Sequence, residues 1–209
     1  MKNQESTWDI EYLKNPHKWH KETINLPKFI ENKKVLEIGA GNGKTLQIIM
    51  RQNPKEVVAM DFSSEALNKC KEIFHEKNIN FVKANITNLP FENEEFDIVV
   101  CYYVLNNLLE KEREKAVKEM NRVIKTRGKL LFEDLAVGDF RETNKKQKLI
   151  EDHTIKNKKG IICHFFGTGE IKKLFRLFST KKLAQRTFNP IFNKPKLKRK
   201  IISGIFVKK

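Results

Sequence analysis

Three glycines follow a short apolar segment at intervals of two residues. Residues 35–38 form the apolar run, and Gly39, Gly41 and Gly43 come directly after it. Such a run predicts a buried parallel strand, and glycine lets the chain turn sharply and bring bare backbone close to a ligand. A helical pattern begins at Lys44. The start of a helix offers unpaired N–H groups to an electron-rich group, so the segment predicts a ligand-binding turn.

Two acidic residues accompany these glycines. Glu37 stands at the end of the apolar run, just before the turn. Asp61 follows a second apolar run over residues 57–60, 18 residues after Gly43. That distance suits an acidic side chain that accepts hydrogen bonds from a ribose. The predicted chemistry is therefore the binding of a molecule that contains a nucleoside.

The glycine spacing separates this loop from two common nucleotide-binding loops. A dinucleotide-binding loop has its third glycine one residue later, at the position of Lys44. The sequence also lacks the G-x-x-x-x-G-K-S/T pattern of nucleoside triphosphatases. An NAD-dependent oxidoreductase and a triphosphatase are therefore disfavoured. A tight strand-to-helix connection without a ligand remains an alternative for the loop taken alone.

Five segments carry recognisable motifs in order along the chain. They are VLEIGAGNG at 35–43, VVAMDFS at 57–63, FVKANITNLPF at 81–91, FDIVVCYYVLNNL at 96–108 and EMNRVIKTRGKLLFEDL at 119–135. Together they resemble the motifs of the class I S-adenosylmethionine-dependent methyltransferases. Small-molecule and wobble-uridine tRNA methyltransferases share this resemblance.

The resemblance implies S-adenosylmethionine as the cofactor. Glu37, Gly39 and Gly41 would then line the methionine part of the cofactor. Asp61 would hold the ribose, and Phe62 would flank the adenine. The cofactor-binding residues that the resemblance implies are Glu37, Gly39, Ala40, Gly41, Asp61, Phe62, Asn85, Ile86, Cys101 and Tyr102.

The sequence departs from the family pattern at three places, one of which is Thr126-Arg127-Gly128 in place of a common Pro-Gly-Gly turn. Asn85 stands where many relatives have Asp, and an amide brings no charge. Asn106 and Asn107 replace a common His-His pair, which removes a candidate general base. The missing base keeps open an alternative function, a non-catalytic binding module for a polyanionic partner that has kept the fold.

The residues that would act on the methyl acceptor are not identified by the sequence. The fourth motif lacks the Asn/Asp-Pro-Pro-aromatic segment of exocyclic-amine methyltransferases, and no Pro-Cys pair exists for attack on a pyrimidine carbon. Oxygen, nitrogen, sulfur and other carbon atoms remain possible acceptors. Tyr102, Asp134 and His164 are weak candidates for an acid or base, and a histidine beside two phenylalanines is more often a packed residue.

Strand and helix patterns alternate along the first two thirds of the chain, which predicts a parallel sheet with helical crossovers. The predicted fold class is α/β, with a Rossmann-like doubly wound seven-stranded sheet, mostly parallel with an antiparallel C-terminal strand. Two strand-like segments near 183–192 and 200–207 supply the last strands. Residues 136–168 lack clear periodicity and are expected to be irregular.

The predicted organisation is an N-terminal helical and aromatic cap over residues 1–32 and a methyltransferase domain over residues 33–209. The domain divides into a cofactor half, 33–135, and a basic acceptor-side half, 136–209. Ligands in such sheets bind at the carboxyl ends of the strands. We therefore expect the candidate residues to surround one pocket there.

The cap has two predicted roles that are compatible with each other. Its aromatic residues, among them Trp8, Tyr12 and Trp19, would close one end of the sheet. The segment would also form a flap over the cofactor, with Lys18 or Lys21 near its carboxylate.

The formal net charge of +16 is unevenly distributed. Residues 1–140 hold 22 Lys/Arg and 22 Asp/Glu, whereas residues 141–209 hold 20 Lys/Arg and 4 Asp/Glu. A concentrated positive field attracts polyanions. The predicted partners are therefore a small-molecule or RNA acceptor, with nucleic acid bound through the basic 141–209 region. A general preference for Lys over Arg, 34 to 8, is the alternative explanation.

Composition also favours some compartments over others. Cys70, Cys101 and Cys163 are few, odd in number and widely spaced, which is typical of a reducing compartment. We therefore expect a cytoplasmic protein. No metal is expected, since no Cys/His cluster has zinc-ligand spacing. Without an apolar run of 18 residues we expect no membrane contact, and the oligomeric state stays open.

Overall fold

The computed structural model describes residues 2–15, 26–142, 148–189 and 197–209. Its helices are α1 (Lys2–Lys14), α2 (Lys44–Met50), α3 (Ser64–Ile73), α4 (Glu110–Val123) and α5 (Thr168–Leu174). Its strands are β1 (Lys34–Ile38), β2 (Glu56–Asp61), β3 (Ile79–Lys83), β4 (Phe96–Tyr102), β5 (Ile124–Leu135), β6 (Lys148–Glu151), β7 (Thr154–Lys156), β8 (Ile162–His164), β9 (Phe178–Phe188) and β10 (Arg199–Lys208). A short 3₁₀ helix, Leu105–Asn107, follows β4.

Seven of the strands form one sheet in the order β3-β2-β1-β4-β5-β10-β9. Strands β1 to β5 run parallel to their neighbours, while β10 is antiparallel to both β5 and β9. The predicted fold class is thereby confirmed, including the antiparallel C-terminal strand. The strand order reverses between β1 and β4, and the crevice at such a point is the usual ligand site of an α/β sheet.

Both faces of the sheet are covered by helices. On one face, Leu36 of β1 belongs to an apolar cluster with Met120 of α4 and Ile171 of α5. On the other face, Val35 of β1 shares a cluster with Leu46 of α2. A strand that is covered on both faces favours apolar residues on both of its faces, which explains the mostly apolar run of β1, interrupted only by Glu37.

The expectation that residues 136–168 are irregular was wrong. This segment contains a second, antiparallel sheet in the order β6-β7-β8. Its strands have three or four residues, too few for a two-residue periodicity to show, and Leu149 is exposed. The small sheet is attached to β5 through a bridge between Ala136 and Phe166.

The N-terminal segment contains α1, which the sequence predicted only as a cap of helical character. Trp19, Lys18 and Lys21, which were expected in a flap, lie outside the described residues. Among the helices that the structure describes, none is long and apolar enough to cross a membrane.

Candidate functional site

The loop after β1 contains three glycines with positive φ angles and is held in place by contacts with neighbouring strands. Gly39 and Gly41 have φ angles of 77° and 57°, a region that side chains disfavour. The N–H groups of Gly39 and Ala40 donate to the carbonyl of Met60 at 2.8 and 2.9 Å. A Cβ atom on Gly39 would overlap the side chain of Val104. The loop therefore touches both the end of β2 and the segment after β4.

A cavity of about 760 Å³, including its open mouth, lies beside this loop at the carboxyl ends of the parallel strands. Its lining residues come from α1, from the ends of β1, β2 and β3, and from the segment that runs from the end of β4 into α4. They are Gln4, Trp8, Tyr12, Ile38, Gly39, Met60, Asp61, Phe62, Ala84, Asn85, Ile86, Tyr103, Val104, Asn107, Leu108 and Glu112.

The predicted cofactor-binding residues divide into two groups around this cavity. The residues that line it are Gly39, Asp61, Phe62, Asn85 and Ile86. The residues that are buried nearby in the fold and do not line it are Glu37, Ala40, Gly41, Cys101 and Tyr102. Cys101 is fully buried in the apolar core, where burial raises the pKa of its thiol. The structure thus brings the sequence motifs together at one place, although only half of the named residues reach the cavity surface.

Asp61 connects the glycine loop with α3. Its Oδ2 accepts a hydrogen bond from the N–H of Gly41 and its Oδ1 accepts one from the N–H of Ser63, both at 2.9 Å. Ser63 is the N-cap of α3. Burial raises the pKa of Asp61 to about 6, although these backbone N–H groups act to lower it. A carboxylate has about four lone-pair positions, so both oxygens can also accept from hydroxyl groups of a ligand.

Glu37 is a buried carboxyl group. The residue is 1% exposed, and among the described residues neither of its carboxylate oxygens accepts a hydrogen bond of ordinary geometry. Burial, and then the charge of Asp61, raise the pKa of Glu37 well above its ordinary value, while the nearby backbone N–H of Leu46 acts to lower it. Burying an unpaired acid is unfavourable. The arrangement therefore suits a ligand that brings a cationic group to this end of the site.

Helix α1 supplies one wall of the cavity through Gln4, Trp8 and Tyr12. Contacts along the helix hold it there. Glu5 pairs with Lys83 at 2.7 Å and Asp9 accepts a hydrogen bond from Ser63 Oγ. On the other side, Gln4 Nε2 donates to the carbonyl of Gly160 at 2.8 Å and Glu11 pairs with Lys159 at 2.7 Å. The helix therefore connects the carboxyl ends of β2 and β3 with the turn between β7 and β8.

A cluster of hydrogen-bonded polar side chains lies where β4 and β5 end. Tyr103 has a φ angle of 58°, which is uncommon for a residue with a side chain. Its hydroxyl donates to Oε1 of Glu133 at 2.9 Å, and Arg186 donates to Oε2 of the same carboxylate at 2.9 Å. Tyr103 also lines the cavity. A strained, firmly held residue on the wall of a pocket is a candidate for contact with the acceptor.

None of the three weak catalytic candidates lines the cavity. Tyr102 is buried in the apolar core, and burial raises the pKa of its hydroxyl. Asp134 is also buried, which raises its pKa to about 8. Its oxygens accept from the N–H groups of Asn106 at 3.0 Å and Leu135 at 2.9 Å. Asp134 thus fixes the 3₁₀ helix that carries Asn107 into the cavity wall.

His164 joins the small sheet to α5. Its Nδ1 lies 2.7 Å from Thr154 Oγ1 and its Nε2 lies 2.9 Å from a carboxylate oxygen of Glu170. The residue is buried against Phe166, as a packed histidine would be. Within the described part of the chain, no group of three or more His, Cys, Asp or Glu residues is placed to hold a metal ion.

Several lining residues were not predicted from the sequence. Trp8 and Tyr12 lie four residues apart and therefore on one face of α1; their segment was expected to close the sheet and to form a flap over the cofactor, but neither residue was named as a site residue. Gln4, Ala84, Leu108 and Glu112 carry no motif. Their positions depend on how distant segments come together, which local patterns do not encode.

Comparison with known proteins agrees with this geometry. The family described as "Methyltransferase domain" matches residues 36–132. These residues run from β1 to β5 and contain the glycine loop, Asp61 and the segment after β4.

Two curated relatives share limited identity with the chain. The tRNA(Thr) (cytosine(32)-N(3))-methyltransferase of Saccharomyces cerevisiae is 26% identical over 191 residues, covering 80% of this chain and 30% of that protein. The ubiquinone/menaquinone biosynthesis C-methyltransferase UbiE of Haemophilus ducreyi is 35% identical over 121 residues, covering 54% of this chain and 45% of that protein. The chain therefore spans less than half the length of these relatives.

Two solved structures share the fold. A methyltransferase from Methanosarcina mazei superposes with a TM-score of 0.70 at 20% identity, covering 88% of this chain and 99% of the other. The 1,6-didemethyltoxoflavin-N1-methyltransferase of Burkholderia thailandensis, solved with S-adenosylhomocysteine, gives a TM-score of 0.74 at 15% identity, covering 99% and 88%. These two structures, both below 25% identical, show the fold, and the family match shows a methyltransferase domain over residues 36–132.

Proposed function

We propose that this protein is an enzyme that transfers a methyl group from S-adenosylmethionine to an RNA acceptor. The choice of cofactor rests on the cavity between the glycine loop, Asp61 and α1, together with the buried carboxyl of Glu37, which has no hydrogen-bond partner among the described residues. The cofactor combines an amino acid, a ribose and an adenine. The ammonium group would supply the cation that Glu37 lacks, Asp61 would accept from the ribose hydroxyls, and Phe62 and Ile86 would flank the adenine.

The protein's part in the reaction is mainly to position the acceptor. When bound, the cofactor supplies a methyl group that its sulfonium makes electrophilic. Holding the acceptor atom in line with that methyl and excluding water lowers the barrier. The hydroxyl of Tyr103 donates to Glu133, so this carboxylate is placed to receive a proton through Tyr103 when the acceptor loses one.

The charge of the described residues supports an RNA acceptor. Lys156 and Lys158 are exposed on β7 and the turn that follows it, and neither forms an ion pair within the described part of the chain. The same turn contacts α1 through Lys159 and Gly160, and α1 lines the cavity. Unpaired lysines beside the cavity provide a surface for phosphates close to the site of transfer.

The relative from Saccharomyces cerevisiae supports the same proposal, because its name states a tRNA substrate and the alignment covers 80% of this chain. A small-molecule acceptor is the second candidate, favoured by the apolar side chains of Val104 and Leu108 in the cavity wall and by the small substrate in the name of the Burkholderia thailandensis protein. No observation favours the non-catalytic binding module over either of them.

Isothermal titration with S-adenosylmethionine and S-adenosylhomocysteine tests the cofactor, and wild-type protein that binds neither would refute the proposal. Incubation of the protein with methyl-labelled cofactor, and separately with total tRNA or the small-molecule fraction of a cell extract, tests the acceptor. Label in the tRNA supports the RNA acceptor. Label in the small molecules alone would replace it, and cofactor binding without label in any fraction would favour the non-catalytic module.

A pair of matched variants tests the role of the basic turn. Lys156→Gln with Lys158→Gln removes two positive charges beside the cavity, and Lys71→Gln with Lys77→Gln removes two exposed charges near the end of α3. We expect the first pair to weaken tRNA binding in a gel shift and to reduce the slope of log affinity against log salt by about one to two units. The second pair should leave both quantities close to the wild-type values. Equal effects of the two pairs would show that only the overall charge matters.

A further inference from the structure

Phe188 is a large aromatic residue that is exposed at the end of β9. Its exposed fraction is 43%, whereas Phe175 and Phe206 stack on each other in the core with 4.5 Å between their ring centroids. A single exposed apolar residue needs no explanation by itself. Phe188 differs from the other exposed apolar residues in its place in the sheet and in the charges around it.

The direction of β9 places Phe188 at the edge of the sheet where the cavity lies. Strand β9 is antiparallel to β10, and β10 is antiparallel to β5, so β9 runs in the same direction as the parallel strands. Arg186 is paired with Ile201, and Ile201 is paired with Leu135, the last residue of β5. Phe188 therefore lies two residues beyond the end of β5, at the carboxyl ends of the strands.

Hydrogen bonds connect this end of β9 with the cavity wall. Arg186 and Phe188 are two residues apart, so their side chains leave the same face of the strand. Arg186 donates through Nη2 to Glu133, and Glu133 accepts from Tyr103, which lines the cavity. A polymeric acceptor with one unit at Tyr103 can therefore reach Arg186 and Phe188 with its next units.

The charges around the ring are positive. Residues 178–209, which contain β9 and β10, hold 10 Lys/Arg and no Asp/Glu. Phe188 is paired with Arg199 of β10, which puts a second arginine beside the ring. The side chain of Arg186 is 45% exposed, and its hydrogen bond to Glu133 uses one of five N–H donors. This guanidinium can therefore also bind a phosphate group.

An exposed aromatic ring between arginines suits an unpaired base of a nucleic acid. Aromatic side chains stack on the faces of bases, and neighbouring cations contact the phosphates. A small-molecule acceptor held in the cavity would need neither the ring nor these charges.

We propose that Phe188, flanked by Arg186 and Arg199, is a stacking platform for an unpaired base of the RNA acceptor, close to the nucleotide that enters the cavity. This inference rests on the proposed function, since it concerns the same acceptor. It adds a contact with a base to the phosphate contacts assigned to Lys156 and Lys158.

Fluorescence anisotropy with two labelled probes tests the contact with a base. One probe is an oligouridylate of about 12 nucleotides, a common site length on single strands. The other is an abasic ribose-phosphate chain of the same length, which has the phosphates without the bases. We expect Phe188→Ala to weaken binding of the oligouridylate about 5- to 150-fold, the range for one base stacked on an aromatic ring. Binding of the abasic chain should stay within about twofold of wild type.

Two matched variants make the test specific. Phe188→Tyr keeps the ring and should bind both probes like wild type. Leu177→Ala changes a side chain of similar exposure, 41%, directly before the other end of β9 and about 35 Å away by the rise of a strand. It should change neither affinity.

Two measurements on Phe188→Ala separate the ring from charge and folding. The slope of log affinity against log salt should equal that of wild type, because the ring has no charge to neutralise a phosphate. Affinity for S-adenosylhomocysteine should also be unchanged, because Phe188 does not line the cavity. Circular dichroism would check that the variant folds like wild type.

Four outcomes would overturn the inference or the proposed function. Equal weakening of both probes by Phe188→Ala would show that the ring only supports the strand. Unchanged binding of both, or equal binding of both by wild type, would show that no base is contacted. These results overturn the inference, and the proposed function stands if total tRNA still takes up label from the cofactor. Wild-type protein that binds the oligouridylate more tightly than the abasic chain, but does not bind the cofactor, would refute the enzyme and leave the stacking platform.

Discussion

Glu37→Gln is expected to stabilise the ligand-free protein and to weaken its binding of the cofactor. The carboxyl of Glu37 is buried with no hydrogen-bond partner of ordinary geometry among the described residues, and burial raises its pKa well above the ordinary value of 4.5. The folded state therefore binds a proton that the unfolded chain releases above pH 4.5. By linkage, this residue lowers the stability of the protein increasingly as the pH rises from 4.5.

The ordinary pKa of 4.5 sets an upper limit on the effect. Folding cannot lose more than about 3 kcal/mol at pH 7 through this group, which is the free energy of protonating at pH 7 a carboxyl that ionises near pH 4.5 in the unfolded chain. At pH 5 the limit is below about 1 kcal/mol. An amide does not titrate, and like the protonated carboxyl it buries one donor group and one acceptor. We therefore expect Glu37→Gln to be more stable than wild type at pH 7, by less than this limit, and to gain little at pH 5.

Urea unfolding at pH 5, 7 and 8, followed by circular dichroism, measures this difference. Glu72→Gln changes an exposed glutamate of α3 and should give no gain that depends on pH. The reasoning is refuted if Glu37→Gln and wild type have the same free energy of unfolding at all three values. The proposed role of Glu37 in cofactor binding is refuted if the variant binds S-adenosylhomocysteine as tightly as wild type, because the ammonium group would then have another partner.

Three other outcomes are expected. Gly39→Ala should lose about 1 to 3 kcal/mol in urea unfolding, because φ is positive and Val104 occupies the space; an unchanged midpoint would contradict this. Asp61 has a pKa of about 6, so calorimetry from pH 8 to 5 should show cofactor affinity falling as the carboxylate gains its proton, and Asp61→Ala should remove that dependence. Tyr103→Phe should slow labelled methyl transfer about tenfold or more with cofactor affinity within twofold, and a selective loss of affinity would instead place Tyr103 at the cofactor.

The strands, helices and turns of the cofactor half could be predicted from the sequence because local patterns determine them. The central parallel strands β1, β2 and β4 are mostly buried and therefore appear as largely apolar runs, and the glycine loop and Asp61 come at the ends of such runs. Gly39 and Asp61 illustrate this, since a turn that needs positive φ requires glycine and the acid stands at the end of the neighbouring strand. The resemblance to a known family added the roles of these residues.

The other side of the site could not be predicted in the same way. The contact between Gln4 and Gly160 joins residues 156 positions apart, and no local pattern specifies such a pair. The strands β6 to β8 are too short to show periodicity, and Tyr12 becomes a site residue only because Gly41 leaves room for its hydroxyl. The acidic environment of Tyr12 is likewise a product of folding.

The two halves of the chain differ in charge in a way that suits their two proposed ligands. The cofactor end combines Glu37 and Asp61 with α1, and it is buried, so salt screens its interactions with the cationic cofactor only weakly. The basic segment is exposed at Lys156 and Lys158, so its attraction for a polyanion is strongly screened. The acids near the cavity also repel phosphates from the cofactor's place. The positive charges of Lys156 and Lys158 would thus attract a polyanionic acceptor, while the acidic cavity would favour the cationic cofactor.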